Sequence, residues 1–471
     1  MRHLRTRVIT VMIVMGAQLS WFAPAQAQSP SPSAASPTVV ATAAPTTSAQ
    51  VKPGDVITKS NAALVEKLVS PGNYDLIKQG MVLNIVEPEK LDWPPPYKVA
   101  TEKYSPQVKL SPTGAVLNYV AGLPFPLVTA SDPDAAIKIM WNFSYRPLYS
   151  DDIDLRYGEI ASYGNDNSGT PISYFTIGHF AIYNNIGRID VPPTPTDPDG
   201  VSSGIRFRFG YYPFIEPSSM RGFGLVGQRL LDPDKEDNIW VFNPFTRRLR
   251  RLSPALLSDA MGMLPGFSGG SGGGRGGMAV AAGGAASANT IDPDSFFGFS
   301  AKVEDFTYKF LGEKEMLAPV NAIHSPETGC KYDGNRSICP ENWEMRHLYV
   351  IQADARPNGI DQTIPRRILY IDSEGWFVTA TDQYDRDGKL WKTLALFNTF
   401  RDRPVPDARV AIYPYKRIFQ LALVDQDLQT GYSSVVYMPS PSAPERECWY
   451  IDMGVVDNQF FTPEALENAG H

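Results

Sequence analysis

Gly222-Phe223-Gly224-Leu225-Val226-Gly227 has the G-x-G-x-x-G spacing that lets a backbone turn tightly under a pyrophosphate. That chemistry needs a strand-to-helix turn inside a βαβ unit. Here the six residues run on into Gln228–Leu231 and an Asp-Pro turn among strand patterns, so they read as a glycine-rich strand. Gly266-Phe267-Ser268-Gly269-Gly270 has the G-x-S-x-G spacing of a nucleophile elbow. It lies in a glycine tract, where Ser271 produces a second match by chance, and beyond His3 only His179, His324, His347 and His471 are available as a base. Asp385–Gly388 has part of a calcium loop's pattern but Gln383 at the first ligand position and Leu394 where a bidentate Glu belongs, so it reads as a turn. Asp154, Glu159 and Asp305 have no spacing that pairs them for acid–base work. No H-E-x-x-H or paired histidines are present. No catalytic residue, cofactor or metal is therefore expected, and a hydrolase is a remote reading.

Two polar clusters remain. Arg247, Arg248, Arg250 and Arg251 form a dense run, but strand alternation sends Arg247 and Arg251 to one face and Arg248 and Arg250 to the other. The plain reading is a solvated strand. The functional reading is a sheet rim that meets an acidic partner surface or a lipid headgroup. Cys330 and Cys339 bracket the polar loop KYDGNRSI and are expected to form a disulfide, the rival being a metal pair that lacks a second pair of ligands. Cys448, beside Trp449 and Tyr450, is left over as a small hydrophobe.

The elements that would position these residues are strands. Ile205, Phe207, Phe209 and Tyr211 alternate with Arg206, Arg208 and Gly210, which puts one face apolar and one cationic. Ile239–Phe242, with Trp240 and Phe242, reads as half of a hairpin turned at Asn243-Pro244. Phe306, Tyr308 and Phe310 share a face, and after Cys339 the chain reads as a meander with turns at Ser373-Glu374-Gly375 and Asp385–Gly388. Helices are expected after Ser70-Pro71, around Lys98–Tyr104, from Asp132-Pro133 and after Thr462-Pro463. Periodicity alone does not separate a filled core from a cavity, because both turn aromatic rings inward.

The 471 residues suffice for a sizeable core. Arg2, Arg5 and Arg7, the apolar run Val8–Leu19 and Ala25-Gln26-Ala27 predict a cleaved signal peptide over residues 1–27. Residues 28–52 are rich in Ser, Pro and Ala and read as a flexible linker. One domain is expected over 53–471, with an N-terminal helical and hairpin block at 53–150 and a Gly-rich insertion at 265–287. Loss of three arginines and no acid with the signal would take the formal charge from −7 to −10. Nucleic acid is not an expected partner of so acidic a chain.

Three stretches read together carry a family resemblance. They are W-x-x-x-P-x-x-R-R-x-R-R from Trp240, F-x-G-F from Phe296, and D-x-x-Y-K-x-L-G-x-K-E from Asp305. With the block from Val69 through Pro126 they resemble the outer-membrane lipoprotein-sorting group, and more narrowly the bacterial envelope family known as domain of unknown function 1329. The resemblance implies a mainly β (α+β) fold, a large antiparallel sheet curled into an incomplete LolA/LolB-like β-barrel with helices packed on or plugging its open side. It further implies a periplasmic, non-enzymatic carrier or chaperone for a lipid or lipidated protein, working beside an RND-type exporter or an outer-membrane partner. A structural envelope protein with a filled core is the alternative. On the carrier reading, Ile205, Phe207, Phe209, Tyr211, Trp240 and Phe242 line a hydrophobic cavity.

Overall fold

Alternating apolar and polar side chains with β-branched and aromatic enrichment make strand the predominant regular structure of this chain. The structure is a computed structural model, and it describes residues 51–165, 170–252, 291, 295–323, 340–357, 364–403, 412–438 and 449–470. The expected signal peptide, almost all of the linker, the Gly-rich insertion and all three cysteines lie outside the described residues.

An N-terminal block comes first: β1 (Val56–Ile57), α1 (Pro71–Gln79), β2 (Leu83–Ile85), α2 (Pro95–Tyr104), the small hairpin β3 (Lys109–Leu110) and β4 (Val116–Leu117), and α3 (Ala135–Ser144). Helix α1 starts as its sequence dictates, with the Ser70 hydroxyl accepting from the Asn73 amide and Pro at the first helical position. It is anchored to the sheet at the same end, where the Gly72 amide donates to the buried Asp382 carboxylate at 3.2 Å. Asn142 of α3 exchanges two hydrogen bonds with the Phe125 backbone, at 2.9 and 2.7 Å.

The strands then follow in two runs. The first holds β5 (Asp152–Tyr163), β6 (Pro171–Asn184), the short helix α4 (Pro198–Ser202), β7 (Ile205–Tyr211), β8 (Phe214–Glu216), β9 (Gly224–Leu230), β10 (Asn238–Asn243) and β11 (Arg248–Leu252). The second holds β12 (Phe306–Ala318), β13 (Glu341–Ala355), β14 (Arg366–Asp372), β15 (Val378–Tyr384), β16 (Leu390–Arg401), β17 (Arg417–Asp427), β18 (Ser433–Tyr437) and β19 (Trp449–Ile451), with helix α5 (Pro463–Ala469) at the end.

Pairing runs β11-β10-β9-β7-β6-β5-β18-β17-β16-β15-β14-β13-β12, antiparallel throughout. Short strands attach to this curled sheet, and β2 runs parallel to β13. The two outermost strands, β11 and β12, are neighbours in sequence, yet no pairing joins them among the described residues. The sheet is thus an incomplete barrel. Just before β12, Phe296, Phe299 and Val303 are buried in the main core on the concave side.

Candidate functional site

Strand β7 turns Phe207, Phe209 and Tyr211 toward the concave side, where they meet Leu225 of β9 and Ile182 of β6. Opposite them stand Phe143 and Tyr145 at the end of α3, Tyr149, and Phe296, Phe297 and Phe299 ahead of β12. Between the two walls is a cavity of about 190 Å³. The rings pack around it as offset and tilted pairs: Phe180 stacks on Tyr211 at 4.3 Å between centroids and meets Phe296 at 4.9 Å. Tyr119 stacks on Tyr145 at 3.7 Å.

The wall is aromatic but not neutral, because Arg146, Arg206 and Arg229 line it. Arg206 reaches it through a local irregularity. The β7–β9 register shifts between Ile205 and Phe207, leaving Arg206 as the extra residue of a bulge, and bulges re-aim side chains. Its guanidinium donates to the Ser144 hydroxyl at 2.7 Å and lies 4.2 Å from the Tyr145 ring centre. Arg146 sits 4.3 Å over Phe143 and 5.4 Å from Phe297, and donates to the Phe143 carbonyl at 2.8 Å. Burial draws its pKa down to about 10, so it still carries its charge at neutral pH. The tyrosines Tyr149 and Tyr211 are pushed the other way, upward, again by burial, and remain neutral donors.

The residues singled out in sequence are divided by the structure. Phe207, Phe209 and Tyr211 line the cavity, whereas Ile205, Trp240 and Phe242 do not. Ile205 is buried opposite Leu230. Phe242 is completely buried with Tyr212, Val226 and Leu466, and Trp240 packs against the same cluster, beneath helix α5 on the other side of the sheet. Alternation makes Trp240 and Phe242 share a face, and the register with β9 sets them opposite Val226 and Gly224. Arg247 occupies the hairpin turn at φ 49°, where the Asn243 carboxamide accepts from the Phe245 and Thr246 amides. Arg248, Arg250 and Arg251 are exposed on β11, which pairs only with β10 among the described residues, and charge on an outer strand blunts edge-to-edge association. Sequence reading missed Arg146, Arg206, Arg229 and the aromatic residues ahead of β12. The F-x-G-F stretch is the one signal that pointed to any of them.

Among the described residues, Asp154, Glu159 and Asp305 do not come together as a reactive centre. Asp154 is held by Arg156 at 2.7 Å and by His179 at 2.9 Å. Glu159 stands five residues further along β5, roughly 16 Å away at strand rise. Asp151, Asp152 and Asp452 do lie together, buried, with Arg417 on Asp452 at 2.6 Å. Desolvation, then the Asp452 charge, pushes Asp151 up to about 7. Backbone amides of Ile189 and Asp190 and of Gly454 take up the Asp151 and Asp152 oxygens, which makes this a structural network tying loops together. No group of three His, Cys, Asp or Glu suited to a metal occurs among the described residues. The Gly222–Gly227 stretch runs into β9 as a strand: a Cβ on Gly224 would meet the Tyr212 side chain at 2.2 Å, so glycine there admits a neighbouring ring. No described helix is long and apolar enough to cross a membrane.

A domain assigned to outer-membrane lipoprotein sorting from Vibrio parahaemolyticus is similar at 13% identity and a TM-score of 0.42, over 71% of this chain and 100% of that one. A DUF1329 family protein from Desulfovibrio piger is similar at 12% identity and a TM-score of 0.39, over 70% of this chain and 96% of that one. A LolA superfamily protein from Nitrosomonas europaea is similar at 16% identity and a TM-score of 0.31, over 67% and 92% respectively. No curated protein matches. The family described as "Protein of unknown function (DUF1329)" matches residues 56–267 and 279–467, nearly the whole described chain, and the protein belongs to that family.

Proposed function

We propose that the protein is a non-enzymatic carrier of a hydrophobic cargo, a lipid or the lipid part of a lipidated protein, in the bacterial periplasm. The observation that supports this reading is the aromatic cavity on the concave side of an unclosed sheet. A half-barrel whose inner wall is rings rather than interdigitated aliphatics leaves room for a guest. The volume bounds the guest. A cavity of about 150 Å³ admits a benzene-sized molecule, and pockets that enclose a drug-sized ligand run from about 300 Å³ upward. At about 190 Å³ this one accepts a ring or a short run of methylenes, and a longer chain needs the two walls to part. The signal-peptide pattern at the N-terminus supports the periplasmic address. Delivery to an RND-type exporter or an outer-membrane protein completes the proposal, with Arg247, Arg248, Arg250 and Arg251 as the candidate partner contacts.

The test is organic extraction of protein purified without detergent, followed by mass spectrometry, alongside titration with a fluorescent fatty-acid probe. A copurifying lipid or saturable probe binding is expected. Repeated empty preparations that never bind the probe overturn the reading in favour of a structural envelope protein.

A further inference from the structure

Among the described residues, the cavity is lined by three arginines and by no Asp or Glu, in a chain whose formal charge is −7. Two of the three have no carboxylate partner among the described residues: Arg206 donates to Ser144, and Arg146 to the Phe143 carbonyl. The Arg146 Nε is buried without a hydrogen-bond partner. Arg229 does pair with Asp237, at 2.8 Å, but Asp237 also faces Lys302 at 3.4 Å, so one carboxylate serves two cations. Asp151, which follows Ser150, and Glu304 and Asp305, which follow Val303, are not among the lining residues, and burial pushes the Asp305 carboxyl above its usual range.

A cation kept out of water is costly unless something compensates it, and ring faces do so only in part. A guanidinium with unused N–H groups is a fork for a carboxylate or a phosphate. The rings on either side exclude water and offer apolar surface. Such a site suits an amphiphile, with its charged end at the arginines and its chain against Phe207, Phe209 and Phe296.

From this geometry we infer that the cargo is an anionic single-chain amphiphile whose oxyanion head is bound inside the cavity by Arg146 and Arg206, with Arg229 beside them. The inference rests on the carrier reading and sharpens it. A neutral lipid, or a lipoprotein whose acyl groups are all esters and amides, leaves these cations without a counter-charge.

The experiment uses the mature protein loaded with N-phenyl-1-naphthylamine, a neutral fluorescent probe, and displaces it with decanoate, decyl phosphate and decanol. Decanoate or decyl phosphate should displace the probe at a concentration about ten-fold or more below decanol, the size of one charge-assisted hydrogen bond. Whichever of the two acts at the lower concentration identifies the head as carboxylate or phosphate. Arg146→Met and Arg206→Met should each shrink the anion-to-alcohol ratio toward one, in protein whose unfolding transition shows it is folded. The comparison of decanoate with decanol on the unaltered protein stands even if both variants fail to fold. Probe binding with equal displacement by all three compounds overturns the anionic head and leaves the carrier intact. No probe binding and no displacement overturns both.

Discussion

Phe209 on β7 is seated on Gly227 of β9, its register partner, so closely that a Cβ at Gly227 would lie 2.1 Å from the ring tip. The last glycine of the G-x-G-x-x-G stretch therefore serves an aromatic wall and not a phosphate. Its missing side chain lets the ring lie flat on the strand, with the cavity above.

Gly227→Ala forces that ring off its seat. Overpacking of this kind costs about 1–3 kcal/mol, measured by denaturant unfolding. Combined with Phe209→Ala, the same alanine has nothing to clash with, so the double variant should lose clearly less than the two single losses together. Strict additivity would show that the contact carries no energy.

Phe209 and Phe242 are both buried aromatics of neighbouring strand pairs, yet they face opposite sides of the sheet. Phe242→Ala, under helix α5 and fully enclosed, should cost about 3–5 kcal/mol and leave binding of an apolar probe unchanged in whatever protein remains folded. Phe209→Ala already borders empty space, so its cost should fall below that range while probe affinity suffers more. Unfolding curves paired with probe titration decide the matter, and equal effects on binding would refute the assignment of faces.

The division between these two residues marks where sequence reasoning stopped. Period-two alternation groups Phe207, Phe209 and Tyr211 on one face, and strand β7 keeps that grouping. The same rule groups Trp240 with Phe242 but is silent on which side of the sheet they take, since that depends on pairing with β9. Arg206 breaks the alternation through a bulge that no local pattern announces. Arg146 follows the end of α3 and Phe296 precedes β12, so the cavity joins segments distant in the chain, which no local pattern connects. The strands and turns were legible because each carries its own signal, while their curling into a half-barrel was implied only by the family resemblance.

Arg417 and Asp452 test the buried network at the other cluster. Their 2.6 Å pair is almost fully enclosed, and Asp151 donates its backbone amide to the same Asp452 carboxylate. Arg417→Met strands that carboxylate beside Asp151 and Asp152. Breaking one side of a buried pair typically costs about 3–5 kcal/mol, and a loss of that order is expected in thermal or denaturant unfolding at pH 7.5. A loss below about 1 kcal/mol would put the pair in the class of exposed ion pairs.

Asp382 supplies a pH-dependent counterpart. Its carboxyl accepts from the Gly72 amide, the Thr393 hydroxyl at 2.9 Å and the Ser70 hydroxyl at 3.3 Å, and so ties the start of α1 to β15 and β16. Burial outweighs these donors and pushes its pKa up to about 6. The unfolded value is about 3.9, so between the two the folded state holds a proton that the unfolded state has released. The stabilisation from this group is complete below about pH 4 and is lost as the pH rises through about 6, a change on the order of 3 kcal/mol for roughly two units. In Asp382→Asn that titration is gone. The stability of the unaltered protein relative to the variant should therefore fall by about that amount between pH 4 and pH 7, read from urea midpoints across the range. Parallel profiles for the two proteins would show that Asp382 titrates alike in the folded and unfolded states, its donors cancelling the effect of its burial.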